Sequence, residues 1–195
     1  MKKILLVFLT VVLIGFQAVK AQTQWTIDKA HSEIQFVAIH MVITEIQGDF
    51  KEFDGSVTSS PDDFDGAKVE FVAQTASINT DNERRDNHLK SDDFFNAEVY
   101  PEIKFNGKIE KEGEKYYLAG DFTMRDVTRP VKFDVKYNGQ IPGRRGKKAG
   151  FKVTGEIDRF DYNLKWDQTI ETGGLIVGRE IQIICNVELN EVTGS

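Results

Sequence analysis

The sequence predicts an all-β fold of about eight antiparallel strands, with a short helical insert near residues 80–96. Three observations carry this. Apolar and polar residues alternate with a period of two along most of the chain, and successive side chains on a strand face opposite sides of the sheet. Alternation marks antiparallel sheet, because parallel strands are covered on both faces and read as continuous apolar runs. Turn-forming residues separate the runs, and a single stretch carries helical signals instead.

The elements follow in chain order. Ile34, Phe36, Ala38 and His40 alternate with Glu33, Gln35, Val37 and Ile39. Gly48 to Val57, with Phe50 and Phe53, is the return strand. Ala67, Val69, Phe71 and Ala73 form the next apolar face. Shorter alternations occupy Ile103-Phe105-Gly107-Ile109 and Leu118-Gly120-Phe122-Met124. Val131, Phe133, Val135 and Tyr137 make another, then Phe151-Val153-Gly155-Ile157, then Ile181 to Leu189. Glu112-Gly113-Glu114 and Asn138-Gly139 carry hairpin chemistry, and Gly143 to Gly150 separates two strands. Thr80-Asp81-Asn82-Glu83 has the spacing of a capping box, so Thr80 is the expected helix N-cap, with about two turns running to Ser91. Asp92 to Phe95 reads as a second turn, and Pro101 ends the insert by biasing Tyr100 away from helix. Eight strands is the number whose closed barrel just encloses side chains or one small ligand.

Composition narrows the setting. Met1-Lys2-Lys3, an uncharged run from Ile4 to Phe16 and Ala18-Val19-Lys20-Ala21 form the pattern of a secretory signal peptide, 1–21, cleaved near Ala21. The run is shorter than the roughly 20 residues that span a bilayer. Residues 22–195 are then a single exported domain. Removing Lys2, Lys3 and Lys20 takes the net charge from −6 to −9. That balance argues against general binding to nucleic-acid backbones. One cysteine, Cys185, permits no internal disulfide.

Searches for catalytic motifs fail. The chain has no Gly-x-Ser-x-Gly, His-Glu-x-x-His, P-loop or Cys-x-x-Cys pattern. His31, His40 and His88 have no ligand-pair spacing, so no metal is expected and each is read as a hydrogen-bonding group. Cys185 sits at apolar parity and reads as a small hydrophobe. Asp81, Glu83, Arg84, Arg85, Asp86 and His88 either position a ligand headgroup or anchor the helix by ion pairs. Gly143-Arg144-Arg145-Gly146-Lys147-Lys148 is a solvated hairpin tip or a peripheral anionic-surface contact. The phenylalanines at apolar parity either fill a core or line a tube, and parity does not separate the two.

The motifs resemble those of the YceI-like family, whose members are described as lipid- or polyisoprenoid-binding. The resemblance begins at Trp25-Thr26-Ile27-Asp28 and His31-Ser32-x-Ile34-x-Phe36-x-Ala38-x-His40, then Gly48-x-Phe50-x-x-Phe53-Asp54-Gly55. It is most specific at Arg85-Asp86-x-His88-Leu89-x-Ser91-x-Asp93-Phe94-Phe95-Asn96 and Tyr100-Pro101-x-Ile103-x-Phe105. It continues through Leu118-x-Gly120-x-Phe122, Val127-Thr128-Arg129-Pro130-Val131, Ile157-Asp158-Arg159-x-Asp161-Tyr162 and Val177-Gly178. Four departures stand out. Val42, Asp126 and Asn163 replace frequent glycines, and Arg179 replaces a frequent acid. Asp and Asn tolerate left-handed backbone. Val42 does not do so cheaply, so the strand is expected to run straighter there.

The resemblance implies an extended, lipocalin-like, eight-stranded antiparallel β-barrel with an internal apolar channel. It implies a periplasmic or secreted protein that binds a lipid or isoprenoid ligand without catalytic residues. No cofactor is expected, and the expected partners are the lipid, at most a peripheral membrane surface, and at most a second copy of the chain, as a monomer or homodimer. Matching strand parity to the family motifs places the apolar pocket at Ile34, Phe36, Ala38, Phe71, Phe105, Phe122, Phe133, Val135 and Ile183. Headgroup contacts are assigned to His40, Arg84 and His88. An interaction module with a filled barrel is the alternative, and a lipid-modifying enzyme the third reading. A continuous tunnel separates the first from the second, and a convergent acid–base pair would mark the third.

Overall fold

The computed structural model describes residues 22–61 and 63–193. The expected leader, 1–21, lies outside them. Eleven strands and one α-helix occur among the described residues: β1 (Thr23–Ile27), β2 (Glu33–His40), β3 (Thr44–Phe50), β4 (Phe53–Ser59), β5 (Lys68–Gln74), β6 (Ile78–Asn79), α1 (Glu83–Lys90), β7 (Glu102–Glu112), β8 (Lys115–Met124), β9 (Val127–Pro142), β10 (Lys147–Asp158) and β11 (Val177–Glu191). The ring β1-β4-β5-β7-β8-β9-β10-β11 closes through pairing of β1 with β11, and every pairing is antiparallel. The fold is an eight-stranded antiparallel barrel.

The extra strands come from bends in three long ones. Strand β11 pairs β2 through residues 181–186 and β1 through residues 189–191, so β1 and β2 are one strand line interrupted at Asp28–Ser32. The Ser32 hydroxyl bridges the interruption, accepting from the Glu188 amide at 3.0 Å. The line β3–β4 breaks at Lys51–Glu52, and β5–β6 at the 3₁₀ turn Thr75–Ser77. These two breaks face each other: the Lys51 amide donates to the Ser77 carbonyl and the Gln74 amide to the Glu52 carbonyl. The β1 segment, with only Trp25 and Ile27 as an alternating pair, is too short to announce itself as a strand in sequence.

Several local expectations are corrected. Asn138-Gly139 is not a hairpin turn. Strand β9 runs through it to Pro142, and the register shifts opposite Gly150 and Phe151. With Gly139 at φ +104°, the pair forms a bulge inside a longer hairpin. The helix N-cap is Asn82, whose side chain accepts from the Arg85 amide at 3.0 Å, rather than Thr80. Asp81 turns left-handed at φ +57°, and the Thr80 hydroxyl is drawn instead to the Asp86 carboxylate at 2.5 Å. Val42 does not straighten the chain. It lies at φ +69° beside Met41 at φ +48°, closing the tip between β2 and β3. Asn163 is left-handed as expected, but at the β8–β9 turn Arg125 takes that conformation, not Asp126. Arg179 finds a partner, with Nε 3.0 Å from Asp158 Oδ2.

Apolar side chains divide the interior. At one end Phe64, from the β4–β5 connection, folds inward against Trp25, Tyr137 and Phe151, with ring centroids 5.3, 5.5 and 4.8 Å away. Trp25 Nε1 donates to Ser59 Oγ at 2.9 Å, which satisfies the buried indole. Toward the other end Phe50, Phe94, Phe95, Phe122, Tyr162 and Leu164 are buried around the helix and the 3₁₀ turn Arg159–Tyr162.

Candidate functional site: an apolar cavity inside the barrel

Between these two ends lies a cavity of about 210 Å³ with an apolar wall. All nine apolar positions assigned from parity are in that wall: Ile34, Phe36 and Ala38 from β2, Phe71 from β5, Phe105 from β7, Phe122 from β8, Phe133 and Val135 from β9, and Ile183 from β11. A barrel collects them because each strand turns alternate residues inward.

Glycines on neighbouring strands seat two of the rings. A Cβ on Gly155 would lie 2.1 Å from Phe133 Cδ1, and one on Gly48 would lie 2.4 Å from Phe36 Cζ. The rings therefore rest directly against adjacent backbone, using space that any side chain would take. Phe122 makes edge contacts with Phe133 and Tyr162 at centroid distances of 6.2 and 5.5 Å. Cys185 is also in the wall, and burial pushes its thiol up to about 12, so it is neutral and unreactive at physiological pH.

The three assigned headgroup residues are elsewhere. His40 is half-buried at the end of β2, and Arg84 and His88 are exposed on α1; none lies in the cavity wall. His88 Nε2 sits 2.8 Å from Asp93 Oδ2, and its ring stands edge-on to Phe94 and Trp166. Among the described residues the helix makes no ion pair to the barrel and is held by hydrogen bonds. Buried Asp86 accepts from the Thr80 amide at 2.9 Å, and Arg85 donates to the Thr80 hydroxyl and carbonyl, each at 2.7 Å.

His31 belongs to a separate cluster. Lys148 Nζ lies 3.0 Å from Asp28 and 2.5 Å from Glu188, and His31 Nδ1 lies 3.1 Å from Asp28. The three potential metal ligands Asp28, His31 and Glu188 converge there, but the Lys148 ammonium already bridges both carboxylates. The basic run forms the β9–β10 hairpin tip, with Arg144 and Arg145 exposed.

Parity also missed part of the wall. Leu89 from α1, Phe94 from the turn after it, and Leu164 and Val177 from the segment beyond the 3₁₀ turn close one end of the cavity. Arg159 joins them, the fully buried charged side chain of the wall, only 2% exposed. These residues lie in turns or at element ends, where no period of two exists. The one available signal for Arg159 was its place in the motif Ile157-Asp158-Arg159-x-Asp161-Tyr162.

Comparison with known proteins agrees with this architecture. A UPF0312 protein of Staphylococcus aureus (strain N315) is 35% identical over 170 residues, covering 86% of this chain and 98% of that protein. A mutant YCEI protein of Campylobacter jejuni, solved with a monobromobimane guest, superposes with a TM-score of 0.68 at 31% identity, covering 80% of this chain and 90% of that one. BcnA of Burkholderia cenocepacia shares the fold, with a TM-score of 0.71 at 22% identity over 83% of this chain and 98% of its own. A polyisoprenoid-binding domain from Saccharophagus degradans shares it as well, with a TM-score of 0.63 at 13% identity over 86% and 98%. The pattern of the YceI-like domain matches residues 25–189, nearly the whole described barrel, and the chain belongs to the YceI-like domain family.

Proposed function

We propose that the protein is a non-enzymatic binding protein that holds a long apolar lipid inside the barrel: a polyisoprenoid, an isoprenoid quinone or a fatty-acid-like chain. The observation that carries this reading is the internal cavity, walled by aromatic and aliphatic side chains from strands all round the barrel. Such a wall excludes water and offers dispersion contacts along a chain. Each buried CH₂ contributes about 0.8 kcal/mol before the costs of ordering the ligand. The family membership and the polyisoprenoid-binding name of the Saccharophagus degradans neighbour are consistent with it.

The leader pattern in residues 1–21 supports export, so the protein acts in the periplasm or outside the cell, in lipid transport, storage or protection from stress. It works there as a monomer or homodimer, touching membranes at most peripherally. Native mass spectrometry of protein purified without detergent, followed by organic extraction, tests the reading. A discrete added mass released as a lipid is the expected result. A uniformly ligand-free protein that also takes up no added isoprenoid would overturn it.

A further inference from the structure

Resting on that binding reading, we propose that Arg159 is the polar terminus of the cavity, and that the ligand it selects is an apolar chain bearing an anionic headgroup, a carboxylate or a phosphate.

A guanidinium carries five N–H groups. Arg159 Nε donates to the Gly178 carbonyl at 2.9 Å, Nη1 to the Leu164 carbonyl at 2.5 Å, and Nη2 to the Trp166 and Val177 carbonyls at 2.7 and 2.8 Å. Four donors are used and one, on Nη1, is left over. The charge, moreover, has no carboxylate in direct contact; Asp158 and Asp167 act on it only from a longer range. All four acceptors are neutral carbonyls, and among the described residues no carboxylate forms an ion pair with Arg159. The adjacent Asp158 carboxylate is engaged by Arg179 and by the Phe160 amide, 2.9 Å away. The guanidinium lies 4.5 Å from the Phe160 ring centroid and 5.9 Å from that of Phe94. Its environment is thus aromatic, carbonyl-lined and dry, and burial lowers its affinity for its own proton.

Isolated buried charges are costly and are ordinarily paired. A purely structural role, clamping the segment 164–178 to the barrel, explains the four carbonyl bonds. It does not explain why a cation lines an apolar cavity with no carboxylate partner in direct contact. An anionic headgroup would supply that partner, while its chain lay against Phe94, Leu164, Val177 and the strand residues beyond. Charge-assisted hydrogen bonds to carboxylate or phosphate are the strong class, and a planar guanidinium is shaped to make them.

The experiment compares matched ligands on delipidated protein at pH 7.5. The pairs are cis-parinaric acid with its methyl ester, and geranylgeranyl monophosphate with geranylgeraniol. The expected result is at least a tenfold tighter Kd for the anionic member of one pair or both, and the pair with the larger ratio identifies the headgroup chemistry. Arg159→Gln should bring the ratio of anionic to neutral affinity near one. Equal binding of anionic and neutral members by the unaltered protein would overturn this inference and leave lipid binding intact. Failure of all four ligands to bind would overturn the lipid-binding reading itself. A folded Arg159→Gln variant that kept the preference would overturn the assignment to Arg159. If that variant does not fold, the ratio in the unaltered protein decides alone.

Discussion

Cys185 is the single cysteine of the chain, which makes it a direct probe of the cavity wall. Its Cα register partners are Ile34 on β2 and Val153 on β10, both residues of the same wall. An apolar surrounding disfavours the thiolate, and the backbone hydrogen bond at Gln35 offsets this only in part. A rise from the ordinary 9.0 to about 12 lowers the thiolate population at pH 8 by about 1,000-fold, before any barrier to reagent entry. The rate of carbamidomethylation by iodoacetamide should fall in proportion, because the thiolate is the reacting species. The assay is the alkylation rate at pH 8, read by intact mass, for delipidated native protein and for protein unfolded in guanidinium chloride. The native rate should be slower by about 1,000-fold or more, and an added chain that fills the cavity should slow it further. A native rate within tenfold of the unfolded one would refute a dry wall at Cys185. Protection unaffected by saturating lipid would place the ligand elsewhere.

Other expectations follow from the turns and the charged cluster. Val42→Gly removes the steric cost of a left-handed β-branched residue, about 1 kcal/mol, and should raise the melting temperature by about 2–4 °C in a thermal scan; an unchanged or lower value would contradict the strain argument. The Lys148 ammonium beside Asp28 holds its carboxyl well below the usual carboxylate range, and His31 and Asn190 add to this. A depressed folded-state pKa contributes stability that is present above about pH 4 and lost as pH falls toward the folded value. The stability gap between the unaltered protein and Asp28→Asn should therefore narrow from pH 6 to pH 3 in chemical denaturation, and a constant gap would count against the ion pair.

Much of the barrel was legible from local pattern, because strand alternation is written residue by residue and survives wherever the strand is placed. The inward faces of β2, β5, β7, β8, β9 and β11 could be read one at a time, and closure of the sheet brought all nine expected apolar residues to one cavity. The turns were less legible. Asn138-Gly139 has hairpin chemistry, yet the β9 and β10 strands continue past it because their ladder extends to the pairing of Pro142 with Lys147. Thr80 has capping chemistry, yet its hydroxyl goes to Asp86, and Asn82 takes the cap. In each case two local solutions compete, and long-range pairing or a buried partner selects between them.

The polar end of the cavity shows the same division from the other side. His40, Arg84 and His88, the residues assigned to a headgroup, are not in the cavity wall. Whether a residue of α1 or of the β2 end enters the cavity wall is set by packing, which no local period encodes. Arg159, in a short 3₁₀ turn without parity, is held in the wall by four carbonyls of residues 164–178, two of them from the loop just after the turn and two from the start of β11. The sequence by itself determined the antiparallel, all-β character and the inward apolar set, properties of neighbours along the chain. Only the tertiary structure decided where the long strands bend, how the barrel closes and which charge lies buried beside the cavity, because those outcomes rest on contacts between residues remote in sequence.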